Sequence, residues 1–368
     1  MRLFDTLCMI GSRFQLPGTV YSFEQITQGN INSTYKVSYR MPDKSIKSYM
    51  FQRLNTVVFK NPREIMKNID NVTTYIRKNF PSETVLHFHH TSDGDNFFFD
   101  GDGSFWRVMN YIDSITFNVC EDLSVIAATG EAFGHFQMQL SGFDGSVLYE
   151  TIPDFHNTRK RLDTFFSHVT EDPYSRVNDA TEEIEYISSV RLKAGELSDR
   201  FAKGAFPVRV THNDTKCNNV LFDRVTKRPI AVIDLDTVMP GMSMVDFGDA
   251  VRCIANTADE DEPDLSRVFF DTAKFRAFCK GYIGQVKDAL TADEIDNMVL
   301  ATFTITVELG MRFLDDYIMG DTYFKTDYPE HNLVRARCQL HLAKDIQKKS
   351  DELNFIVHDE LEKARQGR

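Results

Sequence analysis

One stretch of the sequence concentrates side chains suited to acid–base and metal chemistry. It is Val210-Thr211-His212-Asn213-Asp214-Thr215-Lys216-Cys217-Asn218-Asn219-Val220-Leu221-Phe222, a polar loop between two apolar, strand-like runs. A loop so placed presents its side chains at a surface, where chemistry is usually found. Asp214 follows His212 by two residues and precedes Asn219 by five. A second run, Ile230-Ala231-Val232-Ile233-Asp234-Leu235-Asp236, reads as a buried strand ending in two carboxylates. Hard cations such as Mg²⁺ take oxygen ligands, typically a carboxylate or two together with substrate phosphates. Asn219 and Asp234 can supply two such oxygens, which leaves Asp214 free to orient an attacking hydroxyl. The chemistry is that of phosphoryl transfer, with a base for the acceptor and a metal for the phosphates. A lone His-x-Asp means little, but this order and spacing are specific. The plainer alternative is that Asp214 and Asp234 only cap turns.

A phosphate clamp should precede such a core. Gln28-Gly29-Asn30-Ile31-Asn32-Ser33-Thr34-Tyr35 lies at the first strand turn, with one glycine rather than GxGxxG. Backbone amides near Gly29, with Asn30, Asn32, Ser33 and Thr34 as donors, would take the place of a glycine flap. On its own, a Gly-Asn turn is more often just a hairpin. Its position ahead of the catalytic stretch favours the phosphate reading.

The elements that must position these residues follow from periodicity. Val20–Thr27, Ser33–Tyr39 and Ser48–Leu54 read as strands, with Tyr35, Val37 and Tyr39 sharing one face. Asn61-Pro62 is a helix start with Asn at the N-cap and Pro in the first turn. Ile65, Ile69, Val72 and Ile76 continue that helix at helical spacing to about Phe80. Strand pieces follow at 85–89 and 97–99, then Phe105–Ile112. His87, His89 and His90 have no nearby Cys or carboxylate and are read as strand residues, not a metal site. Beyond Asp113 helices are expected near 123–140, 157–169 and 181–203. Short strands return between Val208 and Thr237, and helices run to the end, with His331–Arg368 as one long helical pattern. The fold class expected is α+β: a β-rich N-terminal lobe, residues 1–112, and a mostly helical lobe, residues 113–368. That is a two-lobed, protein-kinase-like arrangement, with ATP in the cleft beside Met109 and Tyr111.

Composition bounds the reading. The chain has 368 residues, 42% of them hydrophobic and 26% charged, ample for a packed core. Its formal net charge of −12 argues against a nucleic-acid partner. Helix N-termini and metals can still hold phosphate locally. The six cysteines form no CxxC pair and no zinc spacing. The N-terminus turns polar too early for a signal peptide, and Met298–Val307 meets Glu308 before it could span a bilayer. The expectation is a reduced, cytoplasmic protein with free thiols and no membrane association. The sequence leaves its oligomeric state open.

On the segments Gly29–Tyr35, Arg209–Asn219, Ile233–Asp249 and Gly310–Arg337, the chain resembles the aminoglycoside phosphotransferase and choline kinase superfamily. Within it the pattern is most similar to the bacterial N-acetylhexosamine 1-kinases. That resemblance implies ATP-dependent phosphorylation of the anomeric hydroxyl of GlcNAc or GalNAc. It makes Asp214 the catalytic base, which also touches the sugar, and Asn219 and Asp234 the Mg²⁺ ligands. Arg312 and Tyr323 become the residues that hold the sugar. Asp246 of the Asp-Phe-Gly at 246–248 becomes a structural anchor rather than a metal ligand. The third-strand lysine that many relatives direct at ATP is Gln52 here, and an aromatic of the look-alike enzymes is Cys253. Two other readings stay open: another small-molecule kinase, for homoserine or a different sugar, or a non-catalytic nucleotide-binding scaffold. The intact Asp214, Asn219 and Asp234 weigh against the scaffold.

Overall fold

The computed structural model describes residues 2–27 and 31–367. The N-terminal lobe runs α1 (Leu3–Arg13), β1 (Thr19–Ile26), β2 (Ser33–Arg40), β3 (Ile46–Leu54), α2 (Pro62–Asn79), β4 (Phe98–Phe99) and β5 (Phe105–Asn110). Its strands form one antiparallel sheet in the order β1-β2-β3-β5-β4. Alternation sorts the side chains into two faces. Tyr35, Val37, Tyr49, Phe51, Trp106 and Val108 bury one face, and α1 covers it with Leu7 and Ile10. Thr34, Gln52, Arg107 and Met109 belong to the opposite face, directed at the second lobe. α1 is an element the strand-dominated reading of the N-terminus lacked. α2 begins at Pro62 as expected, but Asn61 makes no side-chain capping bond.

The second lobe contains α3 (Leu123–Gln139), α4 (Thr158–Glu171), α5 (Thr181–Ala202), β6 (Arg209–Thr211), β7 (Val220–Phe222), β8 (Pro229–Val232), β9 (Met239–Gly241), α6 (Ser243–Ile254), α7 (Thr272–Val286), α8 (Ala292–Asp296), α9 (Met298–Ile318), α10 (His331–Lys348) and α11 (Ser350–Arg365). β6 pairs with β9 and β7 with β8, two small ribbons set into the helical body. α3 and α7 meet closely enough that a Cβ at Gly281 would come within 1.9 Å of the Ala127 carbonyl oxygen. Only a glycine fits there. The lobes share a core in which α2 residues Ile65, Ile69 and Val72 pack with Phe136, Val210 and Leu235. Asn68 of α2, 1% exposed, adds a polar tie by donating to the carbonyls of Tyr149 (2.8 Å) and Val238 (3.0 Å).

Two expectations are corrected here. The C-terminal pattern is two helices, α10 and α11, broken at Lys349. At the break the Lys349 amine bonds the Phe270 carbonyl and Asp345, both at 2.7 Å. The cysteines are not all free thiols: Cys120 and Cys217 form a disulfide. Cys8, Cys253, Cys279 and Cys338 remain free. The paired residues lie 97 apart in sequence, and only the packing of the segment before α3 against the catalytic loop brings them together. No helix among the described residues is long and apolar enough to cross a membrane.

Candidate active site

Two loops and one helix build the site. The loop after β6 carries His212, Asp214 and Asn219; the loop after β8 carries Asp234 and Asp236; α6 grips the first loop from behind. Asp246, in the first turn of α6 and 2% exposed, accepts from the backbone N–H groups of His212 (2.7 Å) and Asn213 (2.8 Å) and from the Gln137 side chain (2.8 Å). Burial raises its pKa, and the His212 ring and these hydrogen bonds pull it back in part. The Thr215 hydroxyl donates to the Asp246 carbonyl at 2.7 Å, and the Thr215 N–H donates to Asp249 at 3.0 Å. The anchor role expected for Asp246 is therefore visible as hydrogen bonds.

The two loops are laced together. His212 is fully buried between Phe133 and Phe136, and its Nε2 lies 2.8 Å from the Ile233 carbonyl oxygen. A carbonyl can only accept, so Nε2 carries the proton; Nδ1 accepts from the Asp214 N–H at 3.3 Å. Thr237 donates its hydroxyl to the His212 carbonyl at 2.6 Å, and Asn213 donates its amide to the Thr237 carbonyl at 2.8 Å. The Ile233 N–H reaches the Asn219 carbonyl at 2.9 Å. Asn213 and Asp234 both take left-handed backbone angles, φ 64° and 59°, which Asn and Asp tolerate better than most residues. The spacing of the two loops is thus set by hydrogen bonds from buried side chains to backbone, with one backbone–backbone bond among them.

Asn219 donates its amide to the Asp214 carbonyl (2.8 Å) and carboxylate (3.2 Å), leaving its side-chain oxygen as the end a cation would take. Asp234 opens onto the cleft. Crowding by the surrounding protein, then the Asp236 and Asp214 carboxylates, pushes its pKa up to about 6, while Arg107 and His212 pull it down. The Asp234 carboxylate and the Asn219 side-chain oxygen, with Asp214 alongside, are oxygens of the kind a hard divalent cation takes, whereas both Asp236 oxygens are bonded to Arg107. Asp214 itself is 30% exposed and lies 2.9 Å from the Lys216 amine. Burial alone would lower the Lys216 pKa; the Asp214 charge and hydrogen bond outweigh it and hold the amine above its ordinary range. Lys216, two residues beyond the acid, was the residue overlooked in this loop.

Arg312 and Tyr323 come together. The Arg312 guanidinium lies 5.8 Å from the Tyr323 ring centre, 5.6 Å from Phe155 and 5.5 Å from Phe324. Tyr323 is 70% exposed. The nearby acids are engaged elsewhere: Asp315 with His168 at 2.7 Å, and Asp316 with the backbone N–H groups of Thr322, Tyr323 and Phe324. Next to Phe155, His156 bonds the buried Glu308 at 2.9 Å, and Thr158 donates to the same carboxylate at 2.6 Å. Among the described residues no hydrogen bond or ion pair links Arg312 or Tyr323 directly to Asp214. Cys253 is exposed beside Arg252, which pairs with Asp249 at 3.0 Å. Protein mass around the Cys253 thiol raises its pKa.

On the N-terminal lobe, Gly29 and Asn30 lie outside the described residues. Asn32 donates its amide to Asp236 at 2.8 Å and accepts from the Asn55 N–H at 3.0 Å. The Thr34 hydroxyl accepts from Gln52 at 3.0 Å. Ser33 has one long contact with Arg53, 3.5 Å. Met109 is buried and pairs across the sheet with Met50, on the face that Gln52 and Arg107 share. Tyr111 is half-buried, with the Lys36 amine 4.1 Å from its ring centre. Of the side chains expected at phosphate oxygens, Asn32 just before β2 and Thr34 within it are both held by protein partners. His87, His89 and His90 contact Arg77, Asn110 and Asp70, and no metal-holding cluster of three or more His, Cys, Asp or Glu occurs among the described residues.

This geometry can be set beside known proteins. Residues 22–279 match the model of the phosphotransferase enzyme family. The chain belongs to that family. Among solved structures, a microcompartment-associated aminopropanol kinase superposes with a TM-score of 0.59 at 14% identity, over 94% of this chain and 98% of that one. The GDP complex of aminoglycoside 2′-phosphotransferase-IIIa gives a TM-score of 0.59 at 11% identity, over 92% and 99%. Choline kinase from Cryptosporidium parvum gives 0.53 at 13% identity, over 97% and 99%. The phosphotransferase's two-lobed, protein-kinase-like fold is shared with all three. At these identities the likeness speaks for the fold.

Proposed function

We propose that this phosphotransferase transfers the terminal phosphoryl group of ATP to the anomeric hydroxyl of an N-acetylhexosamine such as GlcNAc or GalNAc. The observation that supports this acceptor class is Arg312. It makes no ion pair among the described residues and is framed by the rings of Phe155, Tyr323 and Phe324. An unpaired guanidinium offers a rigid fork of donors to neutral hydroxyl or acetamido oxygens. The exposed Tyr323 ring supplies an apolar face of the kind a pyranose covers. Arg161 lies close by: burial lowers its pKa, Glu308 restores part of it, and the Arg312 charge lowers it again. Arg161 is paired with Glu308 at 3.5 Å, so the unpaired Arg312 is the positive charge on this side that disfavours a cationic acceptor such as an amino alcohol.

In this reading Asp214 accepts the proton of the attacking hydroxyl. A carboxylate held by the Asn219 amide and the Lys216 amine is suited to orienting that oxygen toward phosphorus. Lys216, paired with Asp214 at 2.9 Å, places a positive charge beside the transferring group. Asn219 and Asp234 would hold Mg²⁺, which when bound neutralises phosphate charge. Met109 and Tyr111, at the end of β5 and just beyond it, would flank the base of ATP. Gly29, Asn30, Asn32, Ser33, Thr34 and Gln52 would lie along its phosphates. The division at residues 112 and 113 would then separate nucleotide binding from acceptor binding. ADP release measured with ATP and Mg²⁺ over a panel of N-acetylhexosamines, plain hexoses, homoserine, amino alcohols and aminoglycosides tests the proposal. Turnover confined to the N-acetylated sugars is the expected outcome; turnover confined to amino alcohols or aminoglycosides would reject it.

A further inference from the structure

Arg107 interrupts an otherwise apolar strand, Phe105-Trp106-Arg107-Val108-Met109, and it is 2% exposed. A guanidinium so deeply placed is costly unless its N–H groups find partners. Here each of its three nitrogens has one. Its Nε donates to the Gln52 oxygen at 3.0 Å, directly across the β3–β5 ladder. Its two terminal nitrogens take both oxygens of Asp236, one of them at 3.0 Å. Asp236 is itself 2% exposed and belongs to the other lobe, two residues beyond Asp234. The same carboxylate accepts from Asn32 at 2.8 Å, and Gln52 passes its amide on to Thr34 at 3.0 Å. One continuous network therefore runs from the start of β2, through the sheet, into the loop that carries Asp234.

We propose that Arg107 is a positioning residue of the nucleotide site, a buried strut that fixes the Asp234 loop against the start of β2 through Asp236, Gln52 and Asn32. This rests on the phosphotransferase reading but not on the identity of the acceptor. It also explains the glutamine at position 52, which accepts from Arg107 and donates to Thr34, two roles a lysine cannot combine. A bidentate guanidinium–carboxylate pair fixes both distance and plane, whereas an ammonium fixes only distance. The strut therefore sets the orientation of the loop as well as its position. A small displacement of such a loop is enough to lower turnover about 100-fold.

The test must separate positioning from folding. Replacing both members of a buried ion pair by apolar residues is often neutral for stability, whereas removing one member is strongly destabilising. Arg107→Met with Asp236→Leu should therefore fold with a thermal midpoint close to that of the unaltered protein. Calorimetric titration with ADP and Mg²⁺ needs no acceptor, so it reads the strut even if the sugar assignment fails. The double variant should bind at least about tenfold more weakly, and in turnover with any accepted substrate kcat should drop while the acceptor KM stays in place. Unaltered ADP–Mg²⁺ affinity in the folded double variant would overturn the proposal. Should the double variant not fold, Arg107→Lys decides, because it keeps the charge and loses the fork: weakened binding supports the strut, and unaltered binding overturns it.

Discussion

Asp246→Asn tests how the catalytic loop is held. Asp246 Oδ1 accepts from the Asn213 N–H, and Oδ2 accepts from both the His212 N–H and the Gln137 amide. An asparagine has one acceptor oxygen. In its better orientation the oxygen serves the two donors on one side, and the NH₂ then faces the Asn213 N–H, donor against donor. One buried backbone donor is left unsatisfied, at a cost of about 1–3 kcal/mol. The two surviving bonds also lose their charge assistance. Against this, removing a buried carboxylate whose pKa is raised by burial returns some free energy. The net loss should stay near 1–3 kcal/mol, or a fall of about 2–10 °C in thermal midpoint. Asp246→Ala would strand all three donors at roughly 3–9 kcal/mol, comparable with the whole stability of many domains, so Asn is the useful variant. Because the loop carrying Asp214 loses one of its backbone anchors, kcat should fall about 10- to 100-fold. Thermal melting followed by circular dichroism, with turnover measured well below the transition, reads both. Unchanged melting and turnover would refute the anchoring argument, and a lower midpoint with unchanged kcat would confine Asp246 to stability.

Asp214→Asn should lower turnover about 10²–10⁴-fold with melting preserved; near-normal turnover would remove Asp214 from the chemistry. Asn219→Ala and Asp234→Ala should each raise the Mg²⁺ requirement or abolish activity, and a wild-type Mg²⁺ titration would cancel that ligand assignment. The Asp234 carboxyl sits at about 6 without a cation; a proton must leave for a cation to bind, so Mg²⁺-induced stabilisation should grow as pH rises from 5 to 7. The same gain at both ends of that range would count against Asp234. Arg312→Ala should raise the sugar KM roughly 10- to 150-fold, the value of a charge-assisted hydrogen bond or two, with little change in the ATP KM. Cys253→Phe should narrow the sugar range, and an identical range would place Cys253 outside the pocket.

The Asp214 and Asp234 loops were legible as a candidate site because the pattern that marks them is local. Asp214, Asn219 and Asp234 sit on two loops bounded by apolar strands, and the strands declare themselves by period. The sheet was legible for the same reason, since Tyr35, Val37 and Tyr39 alternate with polar partners. What escaped was whatever depends on residues far apart in sequence. Arg107 and Asp236 are 129 residues apart, and neither window shows that they pair. A charge inside the run Phe105–Met109 was the available signal. The Cys120–Cys217 bond escaped because nothing in their spacing links them. The break at Lys349 escaped because Lys348-Lys349-Ser350 contains neither Gly nor Pro to mark it. Arg312 and Tyr323 were named through resemblance alone; spacing by itself marks neither.

The account stands on which atom receives the phosphoryl group. Incubating the protein with ATP, Mg²⁺ and isotopically labelled GlcNAc or GalNAc, and reading the product by phosphorus and carbon NMR, identifies that atom directly. The account predicts a single phosphate ester on C1, with phosphorus coupled to the anomeric carbon, and its loss in Asp214→Asn. An ester at C6 or another ring hydroxyl would contradict it, as would ADP formation with no sugar phosphate at all.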